Sequence, residues 1–121
     1  MEINILSLSK NEDFKKILSG KKINNNYSTI FFKKLSKKYN NGLNLSIITK
    51  KKLGKAVQRN KIKRRLKNII NYILKSIKIN LKYSYLVIAK KNVLDSKYSD
   101  IKKTMIVDFK KILWLNLLIK F

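Results

Sequence analysis

Six apolar residues, Ile62, Leu66, Ile69, Ile70, Ile73 and Leu74, recur at helical spacing through the stretch from Gln58 to Ile77. At about 100° per residue they all fall on one side of a helix. The opposite side carries Asn60, Lys61, Arg64, Lys67, Asn68 and Asn71, with Lys63 and Arg65 on its flanks. Such a helix must lay its apolar stripe on a core, and it leaves its basic side for water or an acidic partner. This segment constrains the chain more than any other, because it requires a second layer for the helix to pack on.

The remaining elements supply that layer. Ser9-Lys10-Asn11-Glu12 has the form of a capping box, so a helix is expected to begin there, with Phe14, Ile17 and Leu18 on its apolar face and Gly20 as its stop. Beyond the polar linker Asn24-Asn25-Asn26, the run from Tyr27 to Phe32 is β-branched and aromatic, which suits a strand. Leu43 to Ile47 alternates apolar with polar residues after an Asn-Asn-Gly turn, which predicts a second strand in a hairpin with the first. Tyr83 to Ala89 is nearly continuous in apolar residues and reads as a buried strand. A last helix is expected from Ser99 to Leu118, capped by Ser99 or Ser96, with Trp114 in the core. The order of helix, two or three strands, helix, strand and helix predicts an α+β fold. It is a two-layer sandwich of helices on a small mixed sheet, in a single domain over 1–121 with no internal repeat.

Charge narrows the partner. Thirty Lys and Arg against six Asp and Glu leave a formal net charge of +24. A folded chain so charged repels itself unless a polyanion screens it. Nucleic acid, an anionic membrane surface and an acidic protein all qualify. Nucleic acid fits best, because the positive charge is spread along the whole chain and no amphipathic tail stands apart. Met1 to Leu6 lacks the basic start and cleavage site of a signal peptide, and the apolar run from Ile112 to Ile119 is far shorter than the ~20 residues of a spanning helix. The expectation is a soluble, cytoplasmic protein with no membrane partner.

Lys, Ile and Asn are abundant and Pro is absent, a bias consistent with an AT-rich genome, so many of the lysines carry little information. The arginines carry more. The chain has three, Arg59, Arg64 and Arg65, all on the amphipathic helix. A guanidinium presents a planar fork that fits phosphate and stacks on bases, whereas an ammonium is a point charge. The alternative for this cluster is a merely solvated helix face. His and Cys are both absent, which removes the common zinc ligands, the usual nucleophile systems and the commonest general base. The chain has almost no groups for catalysis of its own.

Read as a unit, Lys51-Lys52-Leu53-Gly54-Lys55-Ala56-Val57-Gln58-Arg59-Asn60-Lys61-Ile62-Lys63-Arg64-Arg65-Leu66-Lys67 closely resembles the signature of the bacterial ribonuclease P protein component. The family pattern is roughly S-K-K-x-G-x-A-V-x-R-N-R-x-K-R-x-x-R. Lys50 stands where the family often has Ser, and Lys61 and Lys67 stand where it has Arg. The resemblance extends upstream over Leu8 to Phe14 and Gly20, and downstream over the strand at Tyr83 and the last helix. Leu18 occupies a position where many members have a second aromatic.

The resemblance implies the fold of the second domain of a small-subunit ribosomal protein, and a subunit with no catalytic residues of its own. In this family the catalyst is a large RNA that uses Mg²⁺ to remove the 5′ leader from precursor tRNA, with one protein expected per RNA. Lys51, Lys55, Arg59, Asn60, Lys61, Lys63, Arg64, Arg65 and Lys67 are then expected to hold the catalytic RNA by its phosphates. Lys10, Phe14, Phe31 and Lys52 are expected to line a cleft for the single-stranded leader. There Phe32 is the alternative to Phe31, and core packing is the alternative for both Phe14 and Phe31. Gly54 serves either a tight turn or close approach to RNA. The competing reading is a ribosomal or other structural RNA-binding protein. It differs by conferring no precursor cleavage on the catalytic RNA at low Mg²⁺.

Overall fold

The computed structural model describes residues 4–6, 11–34, 42–77, 79 and 83–119. In chain order the elements are β1 (Asn4–Leu6), α1 (Asn11–Leu18), β2 (Lys21–Asn24), β3 (Ser28–Lys34), β4 (Gly42–Ile48), a short 3-10 turn (Lys51–Leu53), α2 (Ala56–Ser76), β5 (Tyr83–Ala89), α3 (Asn92–Asp95) and α4 (Tyr98–Ile119). The strands make one five-stranded sheet in the order β1-β4-β5-β3-β2. β1 and β5 both run parallel to β4, while β3 runs antiparallel to its neighbours β5 and β2. The sheet is mixed as expected, but its helices are not confined to one face: α2 and α4 cover one side and α1 the other.

The expected hairpin of β3 and β4 does not form, because β5 lies between them. Five of β5's seven residues are buried, so it needs partners on both edges and cover on both faces. A β3–β4 hairpin would have left it at an edge. Leu86 instead stands opposite Phe31 on one side and Ser46 on the other.

Alternation sorts the strands into two faces. Ile30, Phe32, Leu45, Tyr85, Val87 and Ala89 point to the main core, where Ile62, Leu66, Ile69, Ile70 and Ile73 of α2 and Ile101, Met105, Phe109 and Ile112 of α4 cover them. Each fully buried Ile or Leu is worth about 1.5–3 kcal/mol relative to exposure. Tyr85 is enclosed here, with its ring 5.8 Å from that of Phe109. Burial, reinforced by the neighbouring Tyr83, pushes the Tyr85 phenol well above its usual range.

Phe31, Leu86, Ile48 and Ile88 point to the opposite face, where α1 inserts Ile17. α1 ends at Leu18, and Gly20 lets the chain turn back against β3, since a Cβ there would stand 2.8 Å from the Phe32 carbonyl oxygen. Ser9 of the expected capping box lies outside the described residues.

Two features near the C-terminus depart from expectation. α4 starts at Tyr98, so Ser99 lies inside the helix, and the first amides turn back to the Lys97 carbonyl. Trp114 is not core: it is 68 % exposed, on the side of α4 away from the sheet. α4 has apolar residues on several sides, including Ile106, Val107 and Leu113, so apolar content alone did not mark its inner face.

Candidate nucleic-acid interface

The start of α2 is shaped by a short basic connection. Lys51 to Leu53 form one 3-10 turn, anchored by the buried Leu53, and the Gly54 amide donates to the Lys51 carbonyl at 3.2 Å. Gly54 has φ +138°, a conformation that side chains rarely adopt, and a Cβ there would collide with Oε1 of Gln58. The Gln58 oxygen accepts instead from the Lys55 amide at 3.2 Å. The requirement for glycine is therefore met by the turn itself, without invoking RNA. The first turn of α2 contains no acid, so its positive dipole end adds to the attraction for phosphate.

Along α2 the predicted residues divide into two groups. Lys55, Asn60, Lys61, Lys63, Arg64 and Lys67 are exposed, as are Lys51 and Lys52 just before the helix. Arg59 and Arg65 are half-buried. Nη2 of Arg65 donates to the backbone carbonyl of Ser96 at 2.7 Å, so this guanidinium helps hold the joint between α3 and α4. Arg59 lies on the other flank and lines an open pocket with Ile47, Ile48, Thr49, Ala56, Asn60 and Lys63. Its Nε is buried and has no hydrogen-bond partner among the described residues.

The predicted cleft residues are less completely described. Lys10 lies outside the described residues, and Phe14 belongs to α1 by its backbone. Phe31 is half-buried on the sheet face that α1 covers, whereas Phe32 is 2 % exposed in the main core with its ring 5.6 Å from Tyr83. The pleat thus separates the two: Phe31 faces α1 and Phe32 faces the main core. Lys22 was not foreseen. It pairs with Phe31 across β2 and β3 and so brings a cation to the same face. β2 was hidden because its four residues, Lys-Lys-Ile-Asn, are too short and polar to read as a strand.

Ile48 joins the two regions. It packs beside Ile17 and Leu86 on the α1 face and also lines the Arg59 pocket. The basic start of α2 and the α1-covered face therefore meet at the end of β4. Such a surface can bind and neutralise a polyanion. Among the described residues, no three His, Cys, Asp or Glu side chains are grouped to hold a metal. No helix among them is long and apolar enough to cross a membrane.

A family model described as Ribonuclease P matches residues 4–113. The ribonuclease P protein component of Fusobacterium nucleatum is 40% identical over 104 residues, covering 82% of this chain and 89% of that protein. The corresponding protein of Mycoplasma capricolum is 32% identical over 106 residues, covering 87% and 94%. Among solved structures, the ribonuclease P protein of Thermotoga maritima superposes with a TM-score of 0.71 at 26% identity, covering 88% of this chain and 96% of that one. The Staphylococcus aureus protein gives 0.67 at 28% identity, covering 88% and 94%.

Proposed function

The chain belongs to the ribonuclease P protein family, and from that membership we propose that it grips the catalytic RNA with α2 and receives the precursor's 5′ leader on the adjoining α1 face. It is the accessory subunit of a ribonucleoprotein that matures the 5′ end of tRNA. The observation that carries the spatial reading is Ile48, shared between the Arg59 pocket and the face bearing Phe31. One RNA held at α2 and a single strand laid across the α1 face would meet there.

The division of labour follows from the side chains. Arg59, Asn60, Lys61, Lys63, Arg64 and Lys67, with Lys51 and Lys55 before them, offer charge-assisted bonds to phosphates, which set position without reading sequence. Phe31 offers an aromatic face, Lys22 and Lys52 offer cations, and Phe14 and Lys10 belong to the same reading through the family resemblance. Hydrolysis of the phosphodiester falls to the RNA and the Mg²⁺ it binds. The protein contributes fixed positive charge that free Mg²⁺ would otherwise have to supply. One protein per RNA, acting in the cytoplasm, completes the proposal.

The leader cleft has its own test. The reconstituted holoenzyme should bind a leader-bearing precursor more tightly than mature tRNA, and Phe31→Ala should narrow that gap by about five-fold or more, the loss of one stacked base. Equal affinity for the two substrates in the unaltered holoenzyme would dismiss the cleft.

A further inference from the structure

We propose that the outward face of α4, formed by Lys103, Val107, Lys110 and Trp114, is a second contact for the same catalytic RNA, with the Trp114 indole as a stacking platform for an unpaired base. The inference rests on the proposed function above, which supplies the RNA, and adds a surface that the α2 signature does not include.

The first observation is exposure. Trp114 is the only tryptophan in the chain and is 68 % exposed, and Val107, seven residues earlier, is 50 % exposed. An indole is ordinarily among the most buried of side chains, because water gains nothing from its large apolar surface. Here the sheet is already covered by Ile101, Met105, Phe109 and Ile112 on the inner side of α4. At about 100° per residue, Lys103, Val107, Lys110 and Trp114 fall within roughly 60° of one another on the opposite side.

Charge says what covers this face. Lys110 and Lys111 precede Trp114 by four and three residues, so their ammonium groups flank the indole on the helix surface. Of the two acids in α4, Asp108 is buried and Asp100 sits in the first turn, far from Trp114. A flat aromatic between cations, with no neighbouring acid on its helix, suits a nucleotide: the base stacks while the lysines meet phosphates. A second copy of the chain is disfavoured by the +24 charge each would bring. Among the described residues, a membrane surface would find only two exposed apolar side chains on this stripe, Val107 and Trp114, too few to anchor a helix by apolar burial.

Continuity says which RNA. α2 and α4 pack on the same face of the sheet. They meet where Lys102 Nζ lies 4.2 Å from the centre of the Tyr72 ring. Their outward sides therefore form one surface pointing away from the sheet. An RNA seated on Lys61, Arg64 and Asn68 of α2 extends onto α4 without crossing to the α1 face, where the leader is placed.

The sole tryptophan makes the test direct. The full chain is titrated with ribonuclease P RNA, with precursor tRNA alone and with anionic phospholipid vesicles. Complex formation is followed by filter binding, and Trp114 by its fluorescence and acrylamide quenching. Ribonuclease P RNA should quench the emission and lower the acrylamide quenching constant at least two-fold. Trp114→Ala should weaken RNA binding by about five-fold or more, and Trp114→Phe should recover most of it. A complex that forms while Trp114 stays fully open to acrylamide would overturn the second contact and leave the α2 reading standing. Absence of any complex would overturn both. Protection by vesicles or by precursor alone, but not by ribonuclease P RNA, would reject the assignment of this face.

Discussion

Nη2 of Arg65 donates to the carbonyl oxygen of Ser96 at 2.7 Å, tying the middle of α2 to the residue between α3 and α4. Arg64, one residue earlier, is exposed. Two adjacent arginines of one signature are thus expected to differ in role. Arg65→Ala should lower folding stability by about 1–3 kcal/mol, read by urea denaturation, because a charge-assisted bond is lost and the Ser96 carbonyl loses its donor. Arg64→Ala should stay within about 0.5 kcal/mol of the parent in stability while weakening holoenzyme assembly. Equal destabilisation by both would contradict the separation.

A second long-range tie holds the β2–β3 turn to α4. Asn25 accepts from the amides of Tyr27 and Ser28 at 2.7 and 2.8 Å through its side-chain oxygen, and its Nδ2 donates to Oδ2 of the buried Asp108 at 2.6 Å. Asn25→Ala removes these bonds, together with the longer donations of Nδ2 to Ser28 Oγ and Met105 Sδ, and leaves a buried carboxyl without this donor. A loss of about 1–3 kcal/mol is expected in chemical denaturation, with no change in RNA affinity measured where the variant is folded. A neutral effect on stability would mean that the turn is held by other contacts.

The exposed cations of α2 predict a steep salt response. If about six to ten phosphates are neutralised, affinity for the catalytic RNA should fall by roughly 10³ to 10⁵ between about 50 and 200 mM monovalent salt, by analogy with duplex binding. Arg64→Ala should reduce the slope by about one. Filter binding across that range checks both, and a flat response would count against phosphate recognition.

How much of this was legible beforehand depended on local pattern. α2 was foreseen as Gln58 to Ile77 and observed as Ala56–Ser76, because its apolar stripe has one strict period. β5 was foreseen with its observed bounds, since only a central strand tolerates so continuous an apolar run. The pairing of β3 with β4 misled because adjacency in sequence favours hairpins, whereas the burial demand of β5 is a property of the whole sheet. Trp114 misled because α4 lacks a single apolar side. At the site, the exposed α2 face was readable from charge and periodicity. The Arg65–Ser96 bond and the meeting of two surfaces at Ile48 were not, because both depend on contacts distant in sequence.

If this chain assists a catalytic RNA in tRNA maturation, it should lower the Mg²⁺ that RNA needs. The most direct measurement is precursor tRNA cleavage by ribonuclease P RNA at an Mg²⁺ concentration too low for the RNA alone, with and without the protein. Cleavage at the leader junction should appear only when the protein is added, and should weaken with Arg64→Ala. RNA that binds the protein tightly yet stays inactive at low Mg²⁺ would contradict it and favour a purely structural RNA-binding role.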